Sequence, residues 1–221
     1  MSARARACAM SAVLAAAVVV APAAESAPEC SGYVGLTFDD GPGDTTARLL
    51  DALRENGLRA TMFNQGDHAD TNPSLVAAQV DAGMQVGNHS YTHPHMTGLS
   101  RSEMDSEISR AQQAISEAGG GTPTLFRPPY GETNAALREV EAAHGLTEII
   151  WDVDSQDWNN ATVDQIVAAN ASLTDGQIIL MHDWPPNTLA AIPGIAEALQ
   201  QKALCPGVIS PETGRAEAPK T

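Results

Sequence analysis

Short apolar runs alternate with longer amphipathic stretches along most of the chain. An apolar run at 33–38 is followed by a stretch at 45–56 in which alanine and leucine recur at helical spacing before Gly57. Such a run is typical of a buried strand, and such a spacing predicts a helix with one apolar face. The same pattern predicts strands at 33–38, 60–63, 85–88, 125–126, 147–151, 177–181 and 208–210, and helices at 45–56, 73–82, 100–118, 134–144, 163–172 and 188–202.

This alternation indicates βα units whose parallel strands are covered by helices on both faces. An open doubly wound sheet and a small barrel both fit the pattern. Without an export signal expected at 1–27, about 190 residues remain, slightly short for a full eight-unit barrel of about 250 residues, so a reduced or distorted α/β barrel of six or seven units is favoured. The loop after the first strand, DDGPG at 39–43, is not a glycine-rich phosphate cradle, which argues against a dinucleotide-binding fold.

The first residues have the pattern of an export signal. Two arginines precede an apolar run at 10–20, and small residues follow at 21–24. This arrangement predicts a secretory signal peptide, and the run is about half the ~20 residues that a membrane-spanning helix needs. A buried first helix is the alternative. The expected division is a signal peptide at 1–27, one domain at 28–210 and a flexible C-terminal tail at 211–221.

Cysteine usage agrees with export. Cys30 and Cys205 lie near the two ends of the expected mature chain. In an oxidising compartment, two such thiols predict one disulfide that joins the ends of the domain, and two free buried thiols are the alternative. We therefore expect a secreted protein without membrane attachment after signal cleavage.

The charge balance limits the partners of the chain. Lys and Arg number 12 against 27 Asp and Glu, for a formal net charge of −15. A protein that binds nucleic acid or an anionic membrane needs a basic patch, and none can be drawn in this sequence. No nucleic-acid partner is expected, and the chain is expected to act as a monomer.

Reactive side chains follow the predicted strands. The carboxyl ends of parallel strands share one face in α/β folds, so residues in these positions are expected to converge. They are Asp39 and Asp40 after the first strand, His89 and His93 after the third, Arg127 and Tyr130 after the fourth, Asp154 and Asp157 after the fifth, and His182 after the sixth.

The histidine pair and the aspartate pair together predict a metal site. His89 and His93 are four residues apart, so on a helical turn they would share a face and could bind one ion. Asp39 or Asp40 could complete the ligand set, while the other carboxylate takes a proton from water. The alternatives are an accidental histidine spacing and a DDGP turn without chemistry.

The segment RPPY at 127–130 predicts a rigid backbone donor. Neither proline has an N–H, so the first donor after Arg127 is the N–H of Tyr130, which suits an oxyanion hole. If Arg127 is buried it needs a carboxylate partner, and Asp39 is a candidate. A surface turn with a solvated arginine is the alternative.

His182 ends a buried strand and could act as a general acid, oriented by a carboxylate such as that of Asp157. A structural histidine is the alternative. The other histidines, His68, His95 and His144, are interpreted as loop or helix-surface residues.

Five segments in order resemble the motifs of polysaccharide deacetylases, the NodB-homology proteins of carbohydrate esterase family four. They are TFDD at 37–40, HSYTH at 89–93, RPPY at 127–130, DSQDW at 154–158 and LMH at 180–182. The resemblance covers about 33–205. The compact form of the chain is most similar to the secreted bacterial acetylxylan esterases of that family.

The resemblance implies a distorted, reduced (β/α) barrel of the NodB-homology type and one divalent metal ion, usually zinc or cobalt. It implies that Asp40, His89 and His93 bind the metal and that Asp39 is the base. The other implied roles are Arg127 holding Asp39, Tyr130 offering its backbone N–H, His182 as the acid tuned by Asp157, and Trp158 with Leu180 shaping the acetyl pocket.

The expected function is hydrolysis of acetyl groups on an acetylated polysaccharide or oligosaccharide, above all the O-acetyl groups of acetylxylan. N-deacetylation of chitin oligomers or peptidoglycan uses the same chemistry, so the motifs do not choose between them. A non-catalytic glycan-binding protein on the same fold is a further alternative, and so is a structural metal site in a transport protein. The presence of every catalytic residue type favours an enzyme.

Overall fold

The structure is a computed structural model that describes residues 30–220. The signal peptide predicted at 1–27 lies outside the described residues. Within the described range, no helix is both long enough and apolar enough to cross a membrane.

Strands and helices alternate along the described chain, as the hydrophobic pattern predicts. The strands are β1 (Gly32–Gly41), β2 (Thr61–Asn64), β3 (Gln85–Asn88), β4 (Leu125–Phe126), β5 (Thr147–Glu148), β6 (Val153–Asp154), β7 (Ile178–His182), β8 (Leu204–Pro206), β9 (Val208–Ile209) and β10 (Ala216–Glu217). The helices are α1 (Thr46–Glu55), α2 (Gly66–Thr71), α3 (Pro73–Asp81), α4 (Arg101–Ile115), α5 (Ala135–Ala143), α6 (Val163–Ser172) and α7 (Pro186–Gln201). The sequence pattern predicts six of these helices and misses the short α2.

One parallel sheet organises the molecule, with strand order β5-β4-β3-β2-β1-β7-β6, and β8 pairs in parallel with the start of β1. β1 lies at the centre, and its side chains alternate between two faces. Val34, Leu36 and Phe38 pack in the apolar core that α1 and α7 cover. Thr37 and Asp39 point to the other face, which is the interior of the curled sheet.

A single stretch of chain joins the two edges of this sheet. The prediction of a single strand at 147–151 is wrong. The chain here divides into β5, which pairs with β4, and β6, which pairs with β7. Between them, the N–H of Ile149 donates to the carbonyl of Phe126 (2.8 Å), and the N–H of Asp152 donates to that of Ile178 (2.9 Å). The sheet is thus curled into the distorted, reduced (β/α) barrel that was expected.

The C-terminal segment includes a strand. β10 pairs antiparallel with β9, and Ala216 is buried. The turn between these strands is closed by a hydrogen bond from the N–H of Ser210 to the carbonyl of Arg215 (2.9 Å), with Gly214 at positive φ. The tail expected at 211–221 thus contains a paired strand at 216–217, because Pro211 and Gly214 lie in the turn between β9 and β10.

The predicted disulfide between Cys30 and Cys205 is present. Cys205 lies in β8 and Cys30 lies two residues before β1, so the disulfide joins two cysteines 175 residues apart in sequence at the place where these strands pair.

Replacing both cysteines, Cys30→Ser with Cys205→Ser, is expected to lower the free energy of unfolding by about 3–5 kcal/mol. The unlinked chain regains the entropy of a long closed loop when it unfolds. Urea unfolding measures the loss, and wild-type protein under reducing conditions is the control that should unfold at the same midpoint. An unchanged midpoint in the double variant would contradict this account.

Candidate active site

A cavity of about 370 Å³ opens at the carboxyl ends of the parallel strands, where the predicted residues converge. Its walls include the aspartates of β1 and three histidines from two segments, the loop after β3 and the end of β7. The lining residues are Asp39, Asp40, His89, His93, Tyr130, Trp151, Asp154, Trp158, Leu180, His182 and Trp184. Two further predicted residues, Arg127 and Asp157, are buried behind this surface.

A bulge at the end of β1 turns both aspartates toward the cavity. Asp39 pairs with Phe63 and Gly41 pairs with Asn64, so Asp40 is the extra residue in the ladder. Neighbouring side chains of a regular strand point to opposite faces, but a bulge breaks that alternation. Asp40 has a left-handed backbone (φ 71°), which costs about 1 kcal/mol or more for a residue with a side chain.

Asp40, His89 and His93 have the geometry of a metal site. The Oδ1 atom of Asp40 lies 3.6 Å from Nε2 of His89 and 3.5 Å from Nε2 of His93. Ligands at tetrahedral positions around an ion such as zinc are about 3.3 Å apart. Two imidazoles and one carboxylate are also a donor set that binds zinc and neighbouring ions while leaving a coordination position open. These residues therefore fit a divalent metal ion.

Hydrogen bonds orient the ring of His89. Its Nδ1 donates to the carbonyl of Arg127 (2.7 Å), so the lone pair lies on Nε2, which faces Asp40. Burial lowers the pKa of His93, which favours the neutral ring. A neutral imidazole is the form that binds a metal.

The loop between the two histidines is not helical. Ser90 and His93 are both left-handed, with φ 63° and 56°, and the hydroxyl of Ser90 accepts a hydrogen bond from the N–H of His93 (3.1 Å). The helical turn considered from the spacing is thus wrong, and a tight turn brings the rings to 4.9 Å between centroids.

Asp39 is held by a fully buried arginine. Arg127 donates from Nη1 to Oδ1 of Asp39 (2.8 Å) and to the hydroxyl of Thr37 (2.6 Å), and from Nε to the carbonyl of Ile149 (3.2 Å). Its guanidinium lies over the ring of Phe63 at 4.2 Å. Burial lowers the pKa of Arg127, and the charge of Asp39 opposes this effect. The surface-turn alternative for Arg127 is excluded.

His182 and Asp157 form a second buried pair. The carboxylate of Asp157 accepts hydrogen bonds from Nδ1 of His182 (2.8 Å), the N–H of His182 (2.7 Å) and the hydroxyl of Thr188 (2.6 Å). Burial would raise the pKa of Asp157, but these donors outweigh it and leave the pKa below its ordinary value. Burial would lower the pKa of His182, but the hydrogen bond to Asp157 and the nearby aspartate charges outweigh it and raise the pKa.

Aromatic side chains form the rim of the cavity. Tyr130, Trp158 and Trp184 are each about half exposed, whereas Leu180 is buried at the cavity wall. Tyr130 has a left-handed backbone (φ 61°), and its ring packs edge-on against His93 and stacks on His95. Exposed aromatic faces suit the apolar faces of sugar rings.

Sequence reasoning missed several contacts of Asp40. Nε1 of Trp184 donates to its Oδ2 (3.0 Å), and Nε2 of Gln65 donates to its Oδ1 (3.2 Å). His68 is not a simple surface residue, because its ring is half-buried and Nδ1 donates to the carbonyl of Asp40 (2.7 Å). Trp184 follows a strand end by two residues, which is a readable signal, but Gln65 and His68 carry no sequence signal of this role.

Backbone strain is concentrated at this site. Seven non-glycine residues have positive φ in the described part of the chain. Five of them lie in the segments that surround the cavity: Asp40, Ser90, His93, Tyr130 and Gln156. Strained residues of this kind cluster at functional sites, where surrounding contacts hold them.

Comparisons with known proteins agree with this geometry. Residues 26–149 match the family model described as Polysaccharide deacetylase. A solved family 4 carbohydrate esterase from Streptomyces lividans in complex with acetate is 73% identical, with a TM-score of 0.86, over 86% of this chain and 100% of that chain.

Two curated relatives are larger proteins. A bifunctional xylanase/xylan deacetylase from Cellvibrio japonicus is 52% identical over 87% of this chain and 29% of its own length. The peptidoglycan-N-acetylglucosamine deacetylase PgdA from Listeria monocytogenes is 40% identical over 72% of this chain and 34% of its own length. The chain thus spans about a third of the length of these relatives.

The change Asp157→Asn is expected to lower the pKa of His182, because the variant removes the negative charge beside Nδ1 and keeps a side chain of similar size. NMR titration of the histidine ring signals in metal-free protein measures the pKa. His144, which follows the last residue of α5 and pairs with Asp105 of α4, is the internal control, and its ring signals should keep their wild-type positions. An unaltered pKa of His182 in the variant would contradict the assignment of Asp157 as the partner of its ring.

Proposed function

The chain belongs to the polysaccharide deacetylase family, carbohydrate esterase family four, and on that premise we propose that it is a metal-dependent hydrolase that removes acetyl groups from polysaccharide. One observation carries the proposal. A carboxylate and two imidazoles spaced for one ion share a cavity with a carboxylate held by a buried arginine and with a buried imidazole–carboxylate pair.

Asp40, His89 and His93 would hold one divalent ion, zinc or cobalt. Such an ion supplies Lewis acidity: it polarises a carbonyl and makes water acidic enough to lose a proton near neutral pH. The side chains around it then determine where the protons move.

Asp39 is the proposed base. Its Oδ1 is occupied by Arg127, while its Oδ2 lies 3.7 Å from Nε2 of His89, on the metal side of the cavity. Arg127 therefore fixes the orientation of the carboxylate that accepts a proton from the attacking water.

Tyr130 and His182 complete the proposed reaction at the acetyl group. The N–H of Tyr130 donates to the oxyanion that develops on the acetyl carbonyl. His182, whose protonated form is favoured by Asp157, donates its proton from Nε2 to the departing sugar oxygen, and acetate is released. Leu180 and Trp158 shape the space for the acetyl methyl group.

O-acetyl groups of acetylxylan are the proposed substrate. Two observations support this choice: the 52% identical relative is a bifunctional xylanase/xylan deacetylase, and the chain has a formal net charge of −15. A neutral polymer approaches a negatively charged protein without repulsion, whereas an anionic cell wall is repelled, an effect that salt weakens. N-deacetylation of chitin oligomers or peptidoglycan is the second candidate, which the 40% identical relative supports.

The proposal includes secretion and action as a monomer. The disulfide supports an oxidising compartment.

The change Asp39→Asn is expected to lower turnover about 100-fold or more, because an amide cannot take a proton from water. Bound metal should stay near the wild-type level, since the ligands are unchanged and the amide oxygen still accepts the hydrogen bond from Arg127. Acetate release and metal content of the purified variant measure the two effects. Acetate release at the wild-type rate would refute Asp39 as the base.

Asp40→Asn is the matched control, because it makes the same chemical change one residue away and is expected to lose both metal and turnover. Chelation of the wild type should also abolish turnover. Activity that survives verified metal removal would exclude the metal from the mechanism.

Acetate release from acetylated xylan should exceed that from chitin oligomers when both are assayed side by side with added zinc or cobalt. Faster release from chitin oligomers would favour the second candidate. Saturable glycan binding without acetate release on either substrate would indicate a non-catalytic glycan-binding protein.

A further inference from the structure

The short helix α2 lies against the bulge that carries Asp40. Beside the donation of Gln65 to the Asp40 carboxylate, the N–H of Gln65 donates to the carbonyl of Gly41 (2.9 Å). Nδ1 of His68 donates to the carbonyl of Asp40 (2.7 Å), and Nδ2 of Asn72 donates to the carbonyl of Pro42 (3.4 Å). Backbone and side chain of the bulge are thus both held by residues 65–72.

The same helix is also bonded to the histidine loop. The N–H of Gly66 donates to the carbonyl of Ser90 (2.9 Å), and the N–H of Asp67 donates to that of Tyr91 (3.1 Å). The packing is close, because a Cβ atom on Gly66 would lie 2.5 Å from the ring of Tyr91. The start of α2 is therefore a bridge between the segment of the carboxylate ligand and the segment of the two imidazoles.

A left-handed residue outside the strand ladder needs such support. The bulge removes Asp40 from the register of β1 with β2, so its backbone orientation depends on local partners. The carbonyl of Asp40 belongs to the peptide unit that follows its Cα atom, and a donor on that oxygen fixes the rotation that directs the carboxylate toward His89 and His93.

We propose that His68 is a positioning residue for the metal centre: its Nδ1–H holds the Asp40 carbonyl and so keeps the Asp40 carboxylate in its ligating orientation. The inference rests on the proposed metal site and extends it to a residue outside the ligand set. Hydrogen-bonding partners of this kind contribute substantially to metal affinity in proteins.

The test compares the zinc affinity of His68→Leu and His68→Asn, measured by competition with a chromophoric chelator. Leucine and asparagine have similar sizes, but only the asparagine amide offers an N–H near the place of Nδ1. His68→Leu is expected to bind zinc about 10–100-fold more weakly than the wild type, and His68→Asn within about 3-fold of it.

His68→Gln keeps a polar side chain at this position, but its amide N–H lies near the place of Nε2 of the histidine rather than that of Nδ1. It should therefore lose zinc affinity to the same extent as His68→Leu. If the leucine variant does not fold, the comparison of His68→Asn with His68→Gln still tests the role of Nδ1. His144→Leu, which removes an imidazole remote from the cavity, is the control for non-specific zinc binding and should match the wild type.

The outcomes separate this inference from the proposed function. Wild-type affinity in His68→Leu, or equal losses in the Asn and Gln variants, would overturn the role of His68 while the metal centre stands. A wild type that binds zinc no better than Asp40→Asn would overturn the metal centre and, with it, the role of His68.

Discussion

Arg127 is fully buried inside the barrel and forms an ion pair with Asp39, and the neighbouring elements must supply the hydrogen-bond acceptors that this buried charge needs. A buried guanidinium needs a charged partner and hydrogen-bond acceptors, and removal of one partner from such a pair costs about 3–5 kcal/mol. The acceptors come from Asp39, from Thr37 on the same strand, and from the carbonyl of Ile149 in the stretch that joins the two sheet edges. The backbone carbonyl of Arg127 orients His89. The side chain and the backbone of one residue thus connect the proposed base, a proposed metal ligand and the closure of the barrel.

The hydrophobic pattern predicts the frame of the fold because helices and strands here follow local rules. Capping boxes at Ser100 and Thr162 mark the starts of α4 and α6, and both are formed in the structure. Helix α2 is missed because its sequence, GDHADT, has no apolar periodicity and only six residues. Its position depends on backbone hydrogen bonds to the histidine loop, and such contacts between distant segments leave no periodic signal.

Within the site, too, some features could be predicted from the sequence and others could not. The convergence of the site segments could be predicted because the carboxyl ends of parallel strands share a face. The orientation of Asp40 could not be predicted, because it depends on a bulge and on a left-handed backbone, for which an aspartate gives no sequence signal.

The division between β5 and β6 could not be predicted either, because it results from the closure of the barrel. The apolar run that contains Ile149 reads as a continuous strand although its two ends pair with opposite edges of the sheet.

The groups proposed for proton transfer and those proposed for metal binding are held by different means. Asp39 and His182 are register partners on the neighbouring strands β1 and β7, and Phe38 and Met181 pair one step earlier, so backbone pairing in the centre of the sheet fixes the distance between base and acid. The proposed metal ligands Asp40 and His93 instead have left-handed backbones, in the bulge of β1 and in the histidine loop, where local contacts must hold them. Strand pairing therefore sets the geometry proposed for proton transfer, while the proposed metal affinity depends largely on local contacts around Asp40 and His93. Substitutions in those local contacts can alter how tightly an ion is held without moving Asp39 relative to His182.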